Sequence, residues 1–189
     1  MLLYFGTTLA GSISLTTPQW ASGTFHTGLS NIDKVTAMEQ VVSALTLLAL
    51  PLLTSYVLRP WLQSKEAVDH WVIINSFLVS ILGNLVISAA PSLTFYAVGV
   101  AIAATAMGLS DAMRSFATSA LSNKELVQRL YMSIRTVQTL AAIIGTPLWS
   151  GFFMWILAHP SLPRGLLFIG NACIMLVCLL LAISLRRSR

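Results

Sequence analysis

The chain has 189 residues, of which 56% are hydrophobic and only 9% are charged, and its mean hydropathy is +0.81. An average soluble domain carries about a quarter charged residues, so this composition excludes an ordinary water-soluble protein and predicts an all-α integral membrane protein. The net charge of +5 does not indicate nucleic-acid binding, because the basic residues lie between and after apolar segments and form no basic face with interleaved aromatic side chains.

The first 33 residues predict a weak or partial membrane segment followed by an outer loop. Residues 1–20 start with an apolar stretch, but Thr, Ser and Gly are frequent and no basic residue precedes the stretch, which is unlike a signal peptide. The range 35–58, interrupted by Glu39, supplies the roughly 20 apolar residues that a membrane-spanning helix needs. A polar linker follows over 59–70.

The rest of the chain alternates between long uncharged stretches and short polar segments. No charged residue occurs over 71–110, and Pro91 divides this stretch because the residue before a proline is disfavoured in a helix. The more polar segment 114–130 predicts a helix that lies at the membrane interface. These features predict four further spans, over 71–90, 93–113, 132–157 and 165–185. The total is five spans, or six if residues 1–20 also cross.

Lys and Arg are distributed unequally between the two sets of predicted loops. One side carries only Lys34 and Arg164. The other side carries Arg59, Lys65, Arg114, Lys124, Arg129, Arg135, Arg186, Arg187 and Arg189. Because basic residues in short loops favour the cytoplasmic side, the sequence predicts a multi-pass protein with a cytoplasmic C-terminus.

Short motifs in the second half resemble a known transporter family. Residues 108–121 read GLSDAMRSFATSAL, and an R-L-Y element at 129–131 and a G-x-P-L element at 145–148 follow. Together with the order of spans, basic loops and tight outer turn, these residues resemble the C-terminal six-helix half of a major facilitator superfamily transporter of the fungal type. The resemblance covers about residues 34–185, and residues 1–33 match poorly where the seventh helix of the family lies.

The resemblance implies a bundle of five to six transmembrane helices that forms one half of a secondary transporter. In that family the path for a small solute, with a coupling proton as an option, lies between two six-helix halves. The partners that the resemblance implies are therefore the lipid bilayer, an unknown small solute, and a missing N-terminal half or a second membrane protein. The chain is interpreted as a truncated or partial transporter.

Ionisable side chains are costly inside a bilayer, so those within predicted spans are candidate functional residues. Glu39 either couples a proton or binds substrate, or it lies at the outer interface beside Lys34. Asp111 and Arg114 are three residues apart in the sequence and share a helix face. They either form a gate pair that breaks during transport or anchor a helix end among the lipid headgroups.

Uncharged polar side chains at Asn75, Asn84 and Gln138 also lie within the predicted spans. They either make hydrogen bonds between helices, each worth about 1 kcal/mol, or contact the transported solute. Asn84 is included among the candidate site residues for this reason. The run of small residues over 101–108 predicts close helix packing.

The sequence contains no phosphate-binding loop, hydrolase motif or zinc-ligand spacing. Cys173 and Cys178 lie on different faces of one predicted helix and are interpreted as packing residues. We therefore expect secondary transport without a cofactor, a metal or an enzymatic activity. The alternative is a small multi-span structural or interaction protein, for which a closed, fully packed bundle is expected. An open concave face lined by the four candidate site residues favours the transporter.

Overall fold

The computed structural model describes residues 1–62, 64–119 and 124–187. Of these residues 88% are helical, and none of them forms a strand. A helix satisfies its backbone hydrogen bonds internally, as a lipid environment requires. Five helical stretches are long and apolar enough to cross a membrane: Leu29–Leu62, Lys65–Ser88, Leu93–Ser119, Lys124–Ala158 and Leu166–Ser184. The predicted all-α, multi-pass membrane architecture is confirmed at this level.

The N-terminal residues form helices instead of the outer loop predicted for part of 1–33. Their Thr and Ser hydroxyls donate to backbone carbonyls one turn earlier, as Thr7 Oγ1 does to Leu3 O at 2.9 Å. A hydroxyl satisfied in this way is compatible with an apolar environment, although it lowers the hydropathy of the segment. The elements are α1 (Leu2–Gly11), a 3₁₀ turn (Ser12–Leu15) and α2 (Thr17–Phe25).

The first long span begins before the predicted range 35–58 and continues beyond it. Helix α3 (Leu29–Leu52) runs through a π-helical segment (Leu53–Leu58) into α4 (Arg59–Leu62). Pro51 lies at the end of α3 and has no backbone N–H to donate. The wider π turn follows directly, and the hydroxyl of Ser55 donates to Pro51 O at 2.6 Å. The helix therefore continues past the proline in a π-helical segment.

Helices α5 (Lys65–Ser88) and α6 (Leu93–Ala104) lie on either side of the turn that contains Pro91. Each begins with a serine N-cap. The side chains of Ser64 and Ser92 accept hydrogen bonds from the backbone N–H three residues later, at 3.1 and 3.5 Å. Caps of this kind satisfy a donor that the first helical turn leaves free, and they fix where both helices begin.

The predicted span 93–113 is discontinuous. Helix α6 ends at Ala104 and α7 (Leu109–Ser119) begins after four turn residues, 105–108. The backbone around this break forms bonds to the residue three positions earlier, such as Thr105 N to Ile102 O at 3.1 Å, in place of the α-helical pattern. We call residues 105–108 the helix break.

The interfacial helix predicted over 114–130 is wrong. Its first part belongs to α7, its last part forms the first turns of α8 (Lys124–Ala158), and 120–123 lie outside the described residues. No Gly or Pro occurs between Lys124 and Gly145, so the helix propagates from its polar start into the apolar run. Helix α9 (Leu166–Arg187) is the last helix in the described part of the chain.

Helix α5 lies at the centre of the bundle and packs along α6, α7 and α9. The α5–α6 contact is close, since a Cβ atom at Gly83 would lie 2.8 Å from the backbone nitrogen of Ala103. Helix α1 packs on α8 and α9, and α3 packs on α6. In the most apolar 18 residues of the stretch Leu29–Leu62, only 11% of the residues are buried within the bundle, against 44% in the stretch Lys65–Ser88. Helix α3 is therefore peripheral.

Two apolar clusters form the core of the bundle. One extends from the basic end, defined by the linker 59–70 and the end of α9, towards the middle and includes Tyr4, Phe77 and Ile134. The opposite end contains a cluster built around the almost fully buried Trp20.

Two indole groups tie the N-terminal helices to the later ones. Trp20 Nε1 donates to Arg164 O at 2.8 Å, and Trp149 Nε1 donates to Leu9 O at 2.7 Å. The N-terminal helices are thus an integral part of the bundle.

Candidate functional site

Glu39 is half-buried on α3, beside the cluster at the opposite end of the bundle. It lies within electrostatic range of the hydroxyl of Tyr96, a side chain that is only 3% exposed. Lys34, the expected interfacial neighbour, donates to Asn31 at 3.2 Å. Glu39 is therefore ten residues into α3, which begins at Leu29, and it is far along the chain from the other charged candidates.

Asp111 and Arg114 form the expected ion pair on the first turns of α7, with 3.6 Å between Oδ1 and Nη1. Their side chains are 66% and 31% exposed, and exposed pairs of this kind contribute about 0–1 kcal/mol. Asp111 also lines a cavity of about 530 Å³ at the basic end, together with Arg59, Lys65 and Asp69. We call this the mixed-charge cavity.

Asn84 is buried in the interface between α5 and α9. Its Oδ1 accepts a hydrogen bond from Asn171 Nδ2 at 2.9 Å, and its Nδ2 donates to Ser80 O at 2.8 Å. Asn171 is 4% exposed, and its Oδ1 has no hydrogen-bond partner among the described residues. Asn84 therefore makes an interhelical hydrogen bond, which is one of the two uses predicted for it.

The four candidate residues do not line one concave face. Glu39 lies near the opposite end, Asn84 is in the α5–α9 interface, and Asp111 and Arg114 lie towards the basic end. A different set of residues forms the concavity nearest the middle of the bundle.

A second cavity, of about 310 Å³, lies between α1, α5, the helix break and α7, α8 and α9. We call it the neutral cavity, because all of its polar side chains are uncharged. Its volume is at the lower end of the range of about 300–1,000 Å³ that is usual for small-molecule sites. The polar lining residues are Tyr4, Thr7, Thr8, Ser80, Ser110 and Gln138.

The neutral cavity has a buried floor and an open mouth. Tyr4 and Ser80, 6% and 8% exposed, lie at the floor. The Tyr4 hydroxyl is buried and has no hydrogen-bond partner within the described part of the chain. Met107 and Ser110, both exposed, lie at the mouth. Because the Tyr4 hydroxyl has almost no accessible surface, a ligand that enters through the mouth does not reach this hydroxyl.

The cavity lies near the middle of the bundle along its length. Ser80, Gln138 and Met175 are each close to the midpoint of the apolar helix that carries them. The helix break contributes Ala106 and Met107 to the lining. Non-helical backbone at membrane depth is tolerated where it is buried in protein or lines a wet cavity, and discontinuous helices of this kind are typical of transporter sites.

Sequence reasoning identified only Gln138 among the polar lining residues. The others are Ser, Thr and Tyr, which are common in apolar helices, and they come from elements far apart in the chain. The small residues over 101–108, interpreted as a packing run, contain the helix break instead. Asn171 was also missed, although an amide in an otherwise apolar span is the same signal that indicated Asn84.

Within the described residues, no group of three or more His, Cys, Asp or Glu side chains is placed to hold a metal ion. Comparisons with protein-family models, with curated protein sequences and with solved structures find no match to this chain. The function is therefore inferred from the geometry of the bundle and its cavities.

Proposed function

We propose that this chain is the helical half of a secondary transporter and that the neutral cavity is its solute-binding site. The observation that supports this most strongly is the coincidence of three features at one place: an open concavity, uncharged polar side chains, and a helix break near the middle of a spanning stretch. Each is common in transporters, and together they supply a solute site and a region able to change conformation.

The alternative structural role fits the bundle less well. A protein that only scaffolds a membrane is expected to seal this region with apolar side chains, since polar groups without partners are unfavourable in lipid. Here the polar side chains of Ser110 and Gln138 line a cavity with an open mouth. Transport provides a use for these groups, because a bound solute can form hydrogen bonds with them.

The proposal includes an orientation and a partner. The basic end faces the cytoplasm, since it carries most of the Lys and Arg residues, and the exposed apolar faces of α3 and α8 contact lipid. The mouth, formed by Met107 and Ser110, faces a second half or a second copy of the chain, which completes the solute path. No catalytic step is part of the proposal.

The test is solute flux through the full chain in proteoliposomes. Radiolabelled solutes of three classes, uncharged, anionic and cationic, are offered to the wild type, to Ser110→Trp and to Ile143→Trp. Ser110→Trp places a bulky side chain in the mouth, whereas Ile143 is 64% exposed on the outer face of α8. We expect saturable flux that Ser110→Trp abolishes and Ile143→Trp preserves. Flux no faster than in protein-free vesicles, or unaffected by Ser110→Trp, contradicts the proposal.

A further inference from the structure

The neutral cavity also carries information about the chemical class of its ligand. We infer that it selects a small uncharged amphiphile, which places an apolar body among methionines and a hydrogen-bonding group against Gln138. This inference rests on the proposed function in that the same cavity serves as the solute site, and it adds the class of solute. It follows from the charge, the hydrogen-bonding side chains and the apolar lining of the cavity, taken in turn.

Charge is the first criterion. Among the residues that line the neutral cavity there is no Asp, Glu, Lys, Arg or His. An ion that enters a low-dielectric cavity loses its hydration and requires an opposite charge or several strong dipoles in return. The lining offers neutral hydroxyls and one amide, so an ionised ligand is strongly disfavoured relative to an uncharged ligand of the same shape.

The ionised pair on α7 does not change this conclusion. Arg114 lies within electrostatic range of the Tyr4 hydroxyl. However, it is outside the cavity lining, and its guanidinium is paired with Asp111 at 3.6 Å. Its field in the cavity is therefore offset by the neighbouring carboxylate. The mixed-charge cavity contrasts with this arrangement, since it carries two cationic and two acidic side chains in its own lining.

Hydrogen-bonding capacity is the second criterion. Gln138, half-buried in the wall, offers an amide donor and an amide acceptor. Ser110 at the mouth adds a hydroxyl, which can both donate and accept. The Tyr4 hydroxyl has almost no accessible surface and takes no part. A ligand with a hydroxyl, amide or carbonyl group can therefore pair with Gln138.

The apolar lining is the third criterion. Met107, Met113 and Met175 line the same cavity, and methionine adapts its flexible, polarisable side chain to ligands of different shape. This surface suits an aromatic or aliphatic body. A ligand that is polar throughout, such as a free polyol, leaves these side chains without apolar contacts.

Three probes of nearly identical shape separate the charge classes: benzamide, benzoate and benzamidinium. Binding of each radiolabelled probe to the full chain in lipid nanodiscs is measured by equilibrium dialysis, with protein-free nanodiscs and Ser110→Trp as the background. We expect saturable benzamide binding and at least about tenfold weaker binding of both ions. Absence of saturable benzamide binding, or equal binding of either ion, overturns the inference.

Gln138→Leu tests the role of the amide in the cavity wall. We expect benzamide to bind about three- to tenfold more weakly, the usual scale for one neutral hydrogen bond. Asn75→Leu is the control, since Asn75 is exposed and does not line this cavity. Unchanged benzamide affinity in Gln138→Leu also overturns the inference.

The two proposals can fail separately. Selective benzamide binding without solute flux in proteoliposomes refutes transport and leaves the ligand class in place. Flux of a charged solute that Ser110→Trp blocks preserves transport and refutes the uncharged class.

Discussion

The hydrogen bond between Asn84 and Asn171 is expected to couple α5 to α9 energetically. Asn171→Leu removes the donor and leaves Asn84 Oδ1 without its partner. Asn84→Leu removes the acceptor and leaves both polar atoms of Asn171 unpaired, because Asn171 Oδ1 already lacks a partner among the described residues. An unpaired buried polar group reduces stability by about 1–3 kcal/mol. Both single variants should therefore be less stable than the wild type, Asn84→Leu the more so.

The double variant Asn84→Leu/Asn171→Leu gives the diagnostic result. It leaves no unpaired amide at this position, and replacing both partners by apolar groups of similar shape is close to neutral. Interhelical hydrogen bonds in membrane proteins average about 0.6 kcal/mol and reach about 1.7 kcal/mol in double-mutant cycles. We expect a coupling energy within this range and a double variant at least as stable as Asn84→Leu.

The assay for this cycle is reversible unfolding in bicelles by titration with sodium dodecyl sulfate, followed by tryptophan fluorescence. Free energies of unfolding are compared for the wild type, both single variants and the double variant. Strictly additive losses in the double variant refute the reasoning, since independent residues show no coupling. Single variants as stable as the wild type refute it as well.

Three further predictions concern packing and orientation. Gly83→Ala is expected to destabilise the bundle by about 1–3 kcal/mol, the scale of overpacking, because the new Cβ meets the backbone of α6 at 2.8 Å. A Cβ atom added at Gly151 would have no neighbouring atom within 4 Å, so Gly151→Ala should be neutral or stabilising. Equal melting temperatures for the two variants contradict this account. Trp149→Phe removes the hydrogen bond to Leu9 O, and we expect faster proteolysis of the N-terminal helices. Unchanged proteolysis contradicts a stabilising role for this hydrogen bond. If the C-terminus is cytoplasmic, an epitope placed there should bind antibody only after the cells are permeabilised. Staining of intact cells shows the opposite orientation.

The long apolar helices could be predicted from the sequence because they depend on one property, the length of the uncharged run. Pro91 marked a real turn, since it follows small residues and precedes a serine cap. Pro51 did not mark one, since the helix continues past it in a π segment. Proline alone does not distinguish these two outcomes.

The N-terminal helices were underestimated because hydropathy counts Thr and Ser as polar wherever they occur. In the structure, hydroxyls such as that of Thr7 donate within their own helix. The decisive contacts of this segment are also distant in sequence: Trp20 reaches Arg164, and Leu9 accepts from Trp149. No local pattern contains this information.

The neutral cavity could not be predicted because no one of its residues is unusual in its own helix. Reasoning from the energetic cost of burial selects charged side chains, and so it selected Glu39, Asp111 and Arg114. Tyr4 and Ser80 become notable only when the fold places them at the floor of one concavity. The helix break was likewise hidden in a run of small apolar residues.

The most direct test of the central claim is whether water reaches the neutral cavity while lipid covers the outer faces of the bundle. Single cysteines at Ser110 and at Ile143 are introduced after both native cysteines are replaced by alanine, and their reaction with N-ethylmaleimide is measured in proteoliposomes. The reaction requires a thiolate and therefore water. We expect Ser110→Cys to react readily and Ile143→Cys to remain unmodified, although Ile143 is 64% exposed in the bundle itself. An unreactive Ser110→Cys, or equal reaction at both positions, contradicts a membrane-embedded bundle with an open, wet cavity.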